Sequence, residues 1–385
     1  MNTAVAAARP ALVVRKPIQV MVVDDAIVVR RQLTRWIGDE KDMMVSACLR
    51  TGREAVEQLE ACNPDVVVLD VDMPDLDGIS ALPQLLKKKR DLVLIMASTL
   101  TRRSAEISLR ALSLGAADYI SKPEAALDAD SSAEFRRELL EKIRNLGRRG
   151  SLLFRQRRGG STPRAIKPPA QRPNLATEQG APFTLRPFAL SRPRALLIGS
   201  STGGPQALGT LIAGIGDAVD CAPILIAQHM PPTFTAALAE HLTRVSGRSV
   251  REAEHQDLIV PGGVYVAPGG RHMRVVRSAA GPAIALGDDA PINFCRPSID
   301  ALLSSAVSIW GAGSLALILT GMGSDGARGA GEIAAAGGSV IAQDEETSVV
   351  WGMPRAVAMA GSCSAVLPLW QIPAEVNRLF GGGRA

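Results

Sequence analysis

Apolar residues run along the chain in short blocks that end in acidic or small polar residues, and most blocks are followed by a stretch with helical spacing. The first, residues 18–23, ends in the pair Asp24 and Asp25, and residues 28–37 follow as a helix. Residues 66–69 form a second β-branched block, closed by Asp70 and the turn-rich DMPDLDG. Residues 92–97 end at Ser98 and Thr99, and Tyr119 and Ile120 lead into Ser121, Lys122 and Pro123. This alternation predicts an α/β domain with a doubly wound parallel sheet over residues 17–146. The pattern resumes with strand-like blocks at 195–198, 224–227, 263–266 and 315–319, which predict a second, Rossmann-like parallel sheet over residues 192–382.

Between the two patterns, periodicity is lost. Residues 148–194 carry eleven Lys or Arg against the single Glu178, a local net charge of +10 that exceeds the +5 of the whole chain. Seven prolines fall in the same segment. Residues 147–191 are therefore expected to be an extended, solvated, flexible linker. Its positive charge serves either as a soluble spacer or for docking on an anionic surface. Residues 1–16 form an N-terminal extension that matches neither domain, and Arg9, Pro10, Arg15 and Lys16 break any signal-peptide pattern.

At 385 residues the chain accommodates two cores, and 46% hydrophobic with 21% charged residues fits folded domains. No apolar run approaches the ~20 residues of a membrane span. Cys48, Cys62, Cys221, Cys295 and Cys363 show no metal-ligand spacing, so reduced thiols and a cytoplasmic location are expected. The positive charge sits in the linker, and no helix-turn-helix or zinc-ligand pattern accompanies it; no nucleic-acid partner is expected.

In doubly wound sheets, ligands gather at the carboxyl ends of the strands, so Asp24, Asp25, Asp70, Ser98 and Lys122 should converge on one crevice. Three carboxylates held together repel one another, and a hard divalent cation with oxygen ligands, Mg²⁺, relieves that repulsion. An Asp oxygen attacking a phosphoryl group would form an acyl phosphate, with metal and Lys ammonium neutralising charge; Asp70 is the candidate. The blocks VVDDAIVVRR, VVVLDVDMPDLDG, MAST and YISKP, in that order, resemble response-regulator receivers. The resemblance implies a flavodoxin-like fold with Asp70 phosphorylated by a chemosensory histidine kinase. It also implies Mg²⁺ on Asp24, Asp25 and Asp70, a phosphate contact from Lys122, and Ser98 and Tyr119 as the switch pair.

In the second domain the block 195–198 runs into GSSTGGPQAL, where Gly199, Ser201 and Gly203 satisfy G-x-S-x-G at a strand-to-helix turn. Such a loop suits a nucleophile beside amides able to stabilise an oxyanion, and it equally suits a phosphate cradle. Hydrolysis needs a base oriented by a carboxylate. Of four histidines, His229 closes the strand ILIAQ, His241 falls in a helix, and His255 and His272 read as loop residues. Asp325 follows LALILT through the turn GMGSDG. The order Ser, His, Asp differs from that of α/β-hydrolases, so that fold is not implied. IGSSTGG, QHMPP, RPSID and LTGMGSDGA resemble the catalytic domain of CheB-type protein-glutamate methylesterases. The resemblance implies Ser201 as nucleophile, His229 as base, Asp325 orienting His229, and the Met322 amide in the oxyanion hole. It further implies methyl-accepting chemoreceptors as substrates, methanol release, deamidation of receptor glutamines in many members, no esterase cofactor, and association with chemoreceptor arrays. A receiver joined to a non-catalytic ligand-binding module is the competing class.

Overall fold

The computed structural model describes residues 16–122, 129–158 and 183–382. The N-terminal extension through residue 15, Pro123, and residues 159–182 of the expected linker lie outside the described residues.

The first sheet contains β1 (Ile18–Val23), β2 (Met43–Leu49), β3 (Val66–Asp70), β4 (Val93–Ser98) and β5 (Asp118–Ser121). Its order is β2-β1-β3-β4-β5, parallel throughout, which is the flavodoxin-like arrangement. Both faces are covered by α1 (Ile27–Gly38), α2 (Gly52–Cys62), α3 (Gly78–Lys88), α4 (Arg102–Ser113) and α5 (Ala129–Arg158). Double-sided burial explains why Val66 to Leu69 are continuously apolar. Side-chain caps start the helices close behind the strand ends: Thr51, Asp77 and Thr101 accept from the amides of Glu54, Ser80 and Ser104.

The second sheet contains β6 (Ala195–Ser200), β7 (Ile224–Gln228), β8 (Val250–Glu252), β9 (Val264–Val266), β12 (Ser314–Ile318), β13 (Ser339–Gln343) and β14 (Ala365–Leu367). The order is β14-β13-β12-β6-β7-β9-β8, again all parallel. An antiparallel ribbon, β10 (His272–Ser278) with β11 (Gly281–Gly287), is an addition that the Rossmann-like reading does not contain. Its inward Met273, Val275 and Ile284 pack into the core that also buries Ile299 and Leu302. Helices α6 (Gly204–Gly214), α7 (Phe234–Ser246), α8 (Ile299–Trp310), α9 (Ala327–Ala335), α10 (Met353–Met359) and α11 (Ile372–Phe380) complete the domain.

Both ends of the expected linker differ from an extended spacer. Helix α5 continues through Arg158. From residue 183 the chain is already docked on the second domain: Arg186 N donates to Cys363 O at 2.8 Å and Ala189 N to Ser339 Oγ at 2.8 Å. Phe183 and Phe188 pack against the cores there. Proline and charge mask these anchoring aromatics in a compositional reading.

The two domains meet through α4, β5 and α5 of the first. The Tyr119 ring stacks on Phe234 with centroids 4.9 Å apart and an interplanar angle of 12°. Arg102 pairs with Glu240 at 2.7 Å, Gln206 Nε2 donates to Ala116 O at 3.2 Å, and Asn145 Nδ2 approaches Met322 Sδ at 3.0 Å. The Arg137 guanidinium lies 4.4 Å from the centre of the Phe294 ring.

Candidate active site

In the first domain the strand ends bring Asp24, Asp25 and Asp70 together, with one oxygen from each within 4.8 Å of the others. Asp24 and Asp70 are buried and Asp25 is exposed. Lys122 Nζ lies 2.6 Å from Asp24 Oδ2 and 2.7 Å from Asp70 Oδ1. The Lys122 ammonium is thus the partner that both buried carboxylates share. Three carboxylates offering only oxygen donors, with a single ammonium among them, fit a hard divalent cation.

Burial pushes the Asp70 carboxyl up to about 6, and Lys122 only partly offsets it. A raised carboxyl pKa means that folding opposes the ionised form. Stability therefore falls as pH rises from the unfolded value of 3.8 to about 6 and stays reduced above it. In chelator-treated protein, Asp70→Asn should raise the thermal midpoint at pH 7 and have little effect near pH 4. The full difference corresponds to about 3 kcal/mol. Equal gains at both pH values in thermal melts would remove this account.

Ser98 and Tyr119 flank the cluster but face elsewhere. Ser98 Oγ lies 3.0 Å from Ser108 Oγ, and Tyr119 points into the domain interface. Beneath Tyr119, Lys142 Nζ is held by Tyr119 O at 2.5 Å and by Asp118 and Glu138 at 2.9 Å each. This buried cation fixes the position of β5.

In the second domain, Ser201 follows β6, His229 follows β7 and Asp325 follows β12. Because β12, β6 and β7 are adjacent, all three residues occupy the crevice where the strand order reverses, the usual ligand position in open parallel sheets. Ser200 is fully buried and donates to Gln228 Oε1 at 2.6 Å, whereas Ser201 is partly exposed at the turn. Gly203 adopts φ 74°, and a Cβ on Gly321 would stand 2.8 Å from the Ser201 Cβ, so both turns need glycine. Among the described residues no hydrogen bond occupies the Met322 amide, which leaves it available beside Ser201.

His229 Nε2 lies 2.8 Å from Asp325 Oδ2. Asp325 is buried and accepts from Ile299 N at 2.7 Å, Ser298 Oγ at 2.8 Å and Asn293 Nδ2 at 3.2 Å. Burial would raise its pKa, but the His229 contact and these donors outweigh it and hold the carboxyl at about 2. For His229, burial opposes the charged form, and the bond to Asp325, with the neighbouring Cys295, raises the ring to about 10. Its Nδ1 faces Cys295 Sγ at 3.5 Å, and the Ser201 hydroxyl makes no hydrogen bond to the ring. Serine and histidine thus share the crevice without being joined; such contacts often tighten only with substrate bound.

Several supporting residues were not assigned roles by sequence reasoning. Gln228 Nε2 donates to the carbonyls of Ser201 and His229, tying the two loops together. Ser298 caps α8 while donating to Asp325, so the helix start and the carboxylate position each other. The RPSID block carried the N-cap signal. His272, read as a loop residue, is instead fully buried at the start of β10; it accepts from Ser298 N and its Nε2 lies 3.1 Å from Ala290 O. Gly-rich flanks concealed its burial.

The response regulator receiver domain family matches residues 20–130, and the CheB methylesterase family matches residues 196–376. A protein-glutamate methylesterase/protein-glutamine glutaminase of group 2 operon from Bradyrhizobium diazoefficiens is 57% identical over 382 residues, covering 96% of this chain and 96% of its own. A protein-glutamate methylesterase/protein-glutamine glutaminase from Nitrobacter hamburgensis is 57% identical over 371 residues, covering 96% of this chain and 95% of its own. One from Rhodospirillum centenum, of group 2 operon, is 46% identical and covers 94% of each chain. With both domains in the same order and such identity along nearly its whole length, the chain belongs to the CheB family of receiver-linked protein-glutamate methylesterases/protein-glutamine glutaminases.

Proposed function

We propose that this chain removes methyl groups from glutamyl methyl esters of chemoreceptors, releasing methanol, and deamidates receptor glutamines with loss of ammonia, both under control of phosphorylation at Asp70. The observation that carries the reading is the buried His229–Asp325 pair at strand ends on either side of Ser201. A phosphate cradle would need no such pair. Ser201 Oγ attacks the ester carbonyl, His229 takes the serine proton at Nδ1 and returns it to the departing methoxide, and Asp325 holds the ring through Nε2. The Met322 amide receives the developing oxyanion. Water then attacks the acyl-serine by the same proton route and frees the glutamate. Only the neutral ring accepts a proton, and the His229 pKa is raised to about 10. The rate of ester hydrolysis should therefore rise with pH as the ring loses its proton and fall on acidification; a rate that stays constant from pH 5 to pH 9 would rule out this assignment of the base.

Asp24, Asp25 and Asp70 would hold Mg²⁺, which when bound supplies charge neutralisation for a phosphoryl group arriving from a histidine kinase. Asp70 is the acceptor, and Lys122 stands ready to contact the phosphate. The α4, β5 and α5 surface contacts the esterase domain beside the crevice, with Tyr119 on Phe234 and Asn145 on Met322, which supports inhibition by the unmodified receiver. Phosphorylation would draw the Ser98 hydroxyl away from Ser108, free Tyr119 to turn, and loosen that packing. No described helix is long and apolar enough to cross a membrane, and the proposed workplace is the cytoplasmic side of chemoreceptor arrays. The test is methanol release from methylated receptor membranes by wild type and Asp70→Asn, with and without a small phosphodonor. Stimulation of wild type alone is expected. No methanol from phosphorylated wild type would return the non-catalytic ligand-binding module.

A further inference from the structure

The His229 imidazole offers its two nitrogens to two different groups, Nε2 to Asp325 and Nδ1 to Cys295. Asp325 is saturated with donors and ionised, so the proton of the neutral ring belongs on Nε2, and Nδ1 carries the lone pair. A thiol therefore stands on the nitrogen that must act as the base.

That thiol is held firmly. Ile292 and Cys295 exchange backbone hydrogen bonds at 3.1 and 2.8 Å, closing a tight loop in which Asn293 and Phe294 take φ 51° and 62°. Asn293 Nδ2 anchors the loop on Asp325 and Asp300, so the elements that position the ring also position the sulfur. One donor atom from each of His229, Cys295 and Asp325 lies within 4.8 Å of the others, and both His229 and Cys295 retain partial exposure.

A zinc ion with Zn–N of about 2.0–2.1 Å and Zn–S of about 2.3 Å in tetrahedral geometry places its nitrogen and sulfur ligands roughly 3.6 Å apart. The His229 Nδ1 to Cys295 Sγ separation is 3.5 Å. A carboxylate on the opposite ring nitrogen is the usual support for a zinc-bound histidine. We propose that the esterase site binds Zn²⁺ between His229 Nδ1 and Cys295 Sγ, with Asp325 orienting the ring, and that the ion blocks the reaction by occupying the base nitrogen. Binding forms one Zn–N and one Zn–S bond, and the thiol proton, together with the Nδ1 proton when the ring is charged, leaves to solvent. Water fills the remaining positions, and no oxidation is involved. The donor chemistry sorts the ions: three carboxylates in the receiver take Mg²⁺, whereas imidazole and thiolate favour the softer Zn²⁺. The inhibitory consequence rests on the esterase reading above; the binding does not.

The test uses the full chain with the receiver saturated in Mg²⁺. Methanol release by phosphodonor-activated wild type should fall more than ten-fold with added Zn²⁺ and recover on chelation. For Cys295→Ala, scaled to its own zinc-free rate, the inhibition midpoint should move at least ten-fold to higher Zn²⁺. Co²⁺ titrated into wild type should give a thiolate-to-cobalt charge-transfer band that Cys295→Ala lacks, although the other four cysteines remain. Equal zinc midpoints in the two proteins, or a band that is missing from wild type or survives in the variant, overturns the proposal. A Cys295-dependent band in a chain that releases no methanol would leave the site standing and remove the esterase reading instead.

Discussion

Ser201→Ala should lower the rate of methanol release by at least about 10⁴-fold, because loss of the nucleophile leaves only binding and oxyanion stabilisation. The informative comparison is Ser200→Ala. Ser200 is the neighbouring hydroxyl in the same turn, but it is buried and committed to Gln228, whose amide in turn holds the carbonyls of Ser201 and His229. Its removal should disturb loop positions and cost far less than the loss of Ser201. Ser201→Ala should retain the native melting transition, since among the described residues its hydroxyl makes no hydrogen bond, whereas Ser200→Ala leaves Gln228 Oε1 without its buried donor and should lower the transition. Burst kinetics with an activated ester would check the same point, with acyl-enzyme accumulating in wild type and absent in Ser201→Ala. A Ser201→Ala protein retaining a tenth of wild-type turnover would end the serine-esterase account.

Asp325→Asn should cost nearly as much, about 10⁴-fold in kcat, for a different reason. The carboxylate accepts from His229 Nε2, Ile299 N, Ser298 Oγ and Asn293 Nδ2. An amide has one accepting oxygen and one donating nitrogen. If its NH₂ faces the ring, it donates to Nε2 and drives the ring proton onto Nδ1, where the base must be empty. If the amide is turned over, the same NH₂ confronts the donating Ser298 and Asn293. Either orientation leaves buried donors unpaired, at a cost of about 1–3 kcal/mol in stability. Turnover and denaturant midpoints measured on the same preparation should therefore fall together. Turnover within ten-fold of wild type would show that Asp325 only caps α8.

The positions proposed to carry the chemistry were picked out in the linear chain for a local reason. A fully buried parallel strand is a continuous apolar run, so its end is marked by the first polar residue, and Asp24, Asp70, Ser201, His229 and Asp325 all sit at or just beyond such ends. Strand β2 escaped notice because its central residues are only partly buried and its pattern is mixed. The packed segment from residue 183 escaped because proline and arginine dominate its composition, although two phenylalanines anchor it.

What the chain could not disclose locally was adjacency. Any order of parallel strands is compatible with the apolar runs; only the pairing of β6 with both β7 and β12 brings Ser201, His229 and Asp325 into one crevice. Cys295 reaches His229 across 66 positions, and Tyr119 meets Phe234 across the domain boundary. Nothing in the flanking residues of either pair signals the contact. Local periodicity reports which side chains are buried, whereas the identity of the group that buries them is set by sheet order and domain docking, which depend on long-range packing. The sequence alone therefore determined two parallel α/β units and which polar side chains stand at their strand ends. The tertiary structure decided which nitrogen of His229 Asp325 holds, what stands against the other, and which receiver surface meets the second domain.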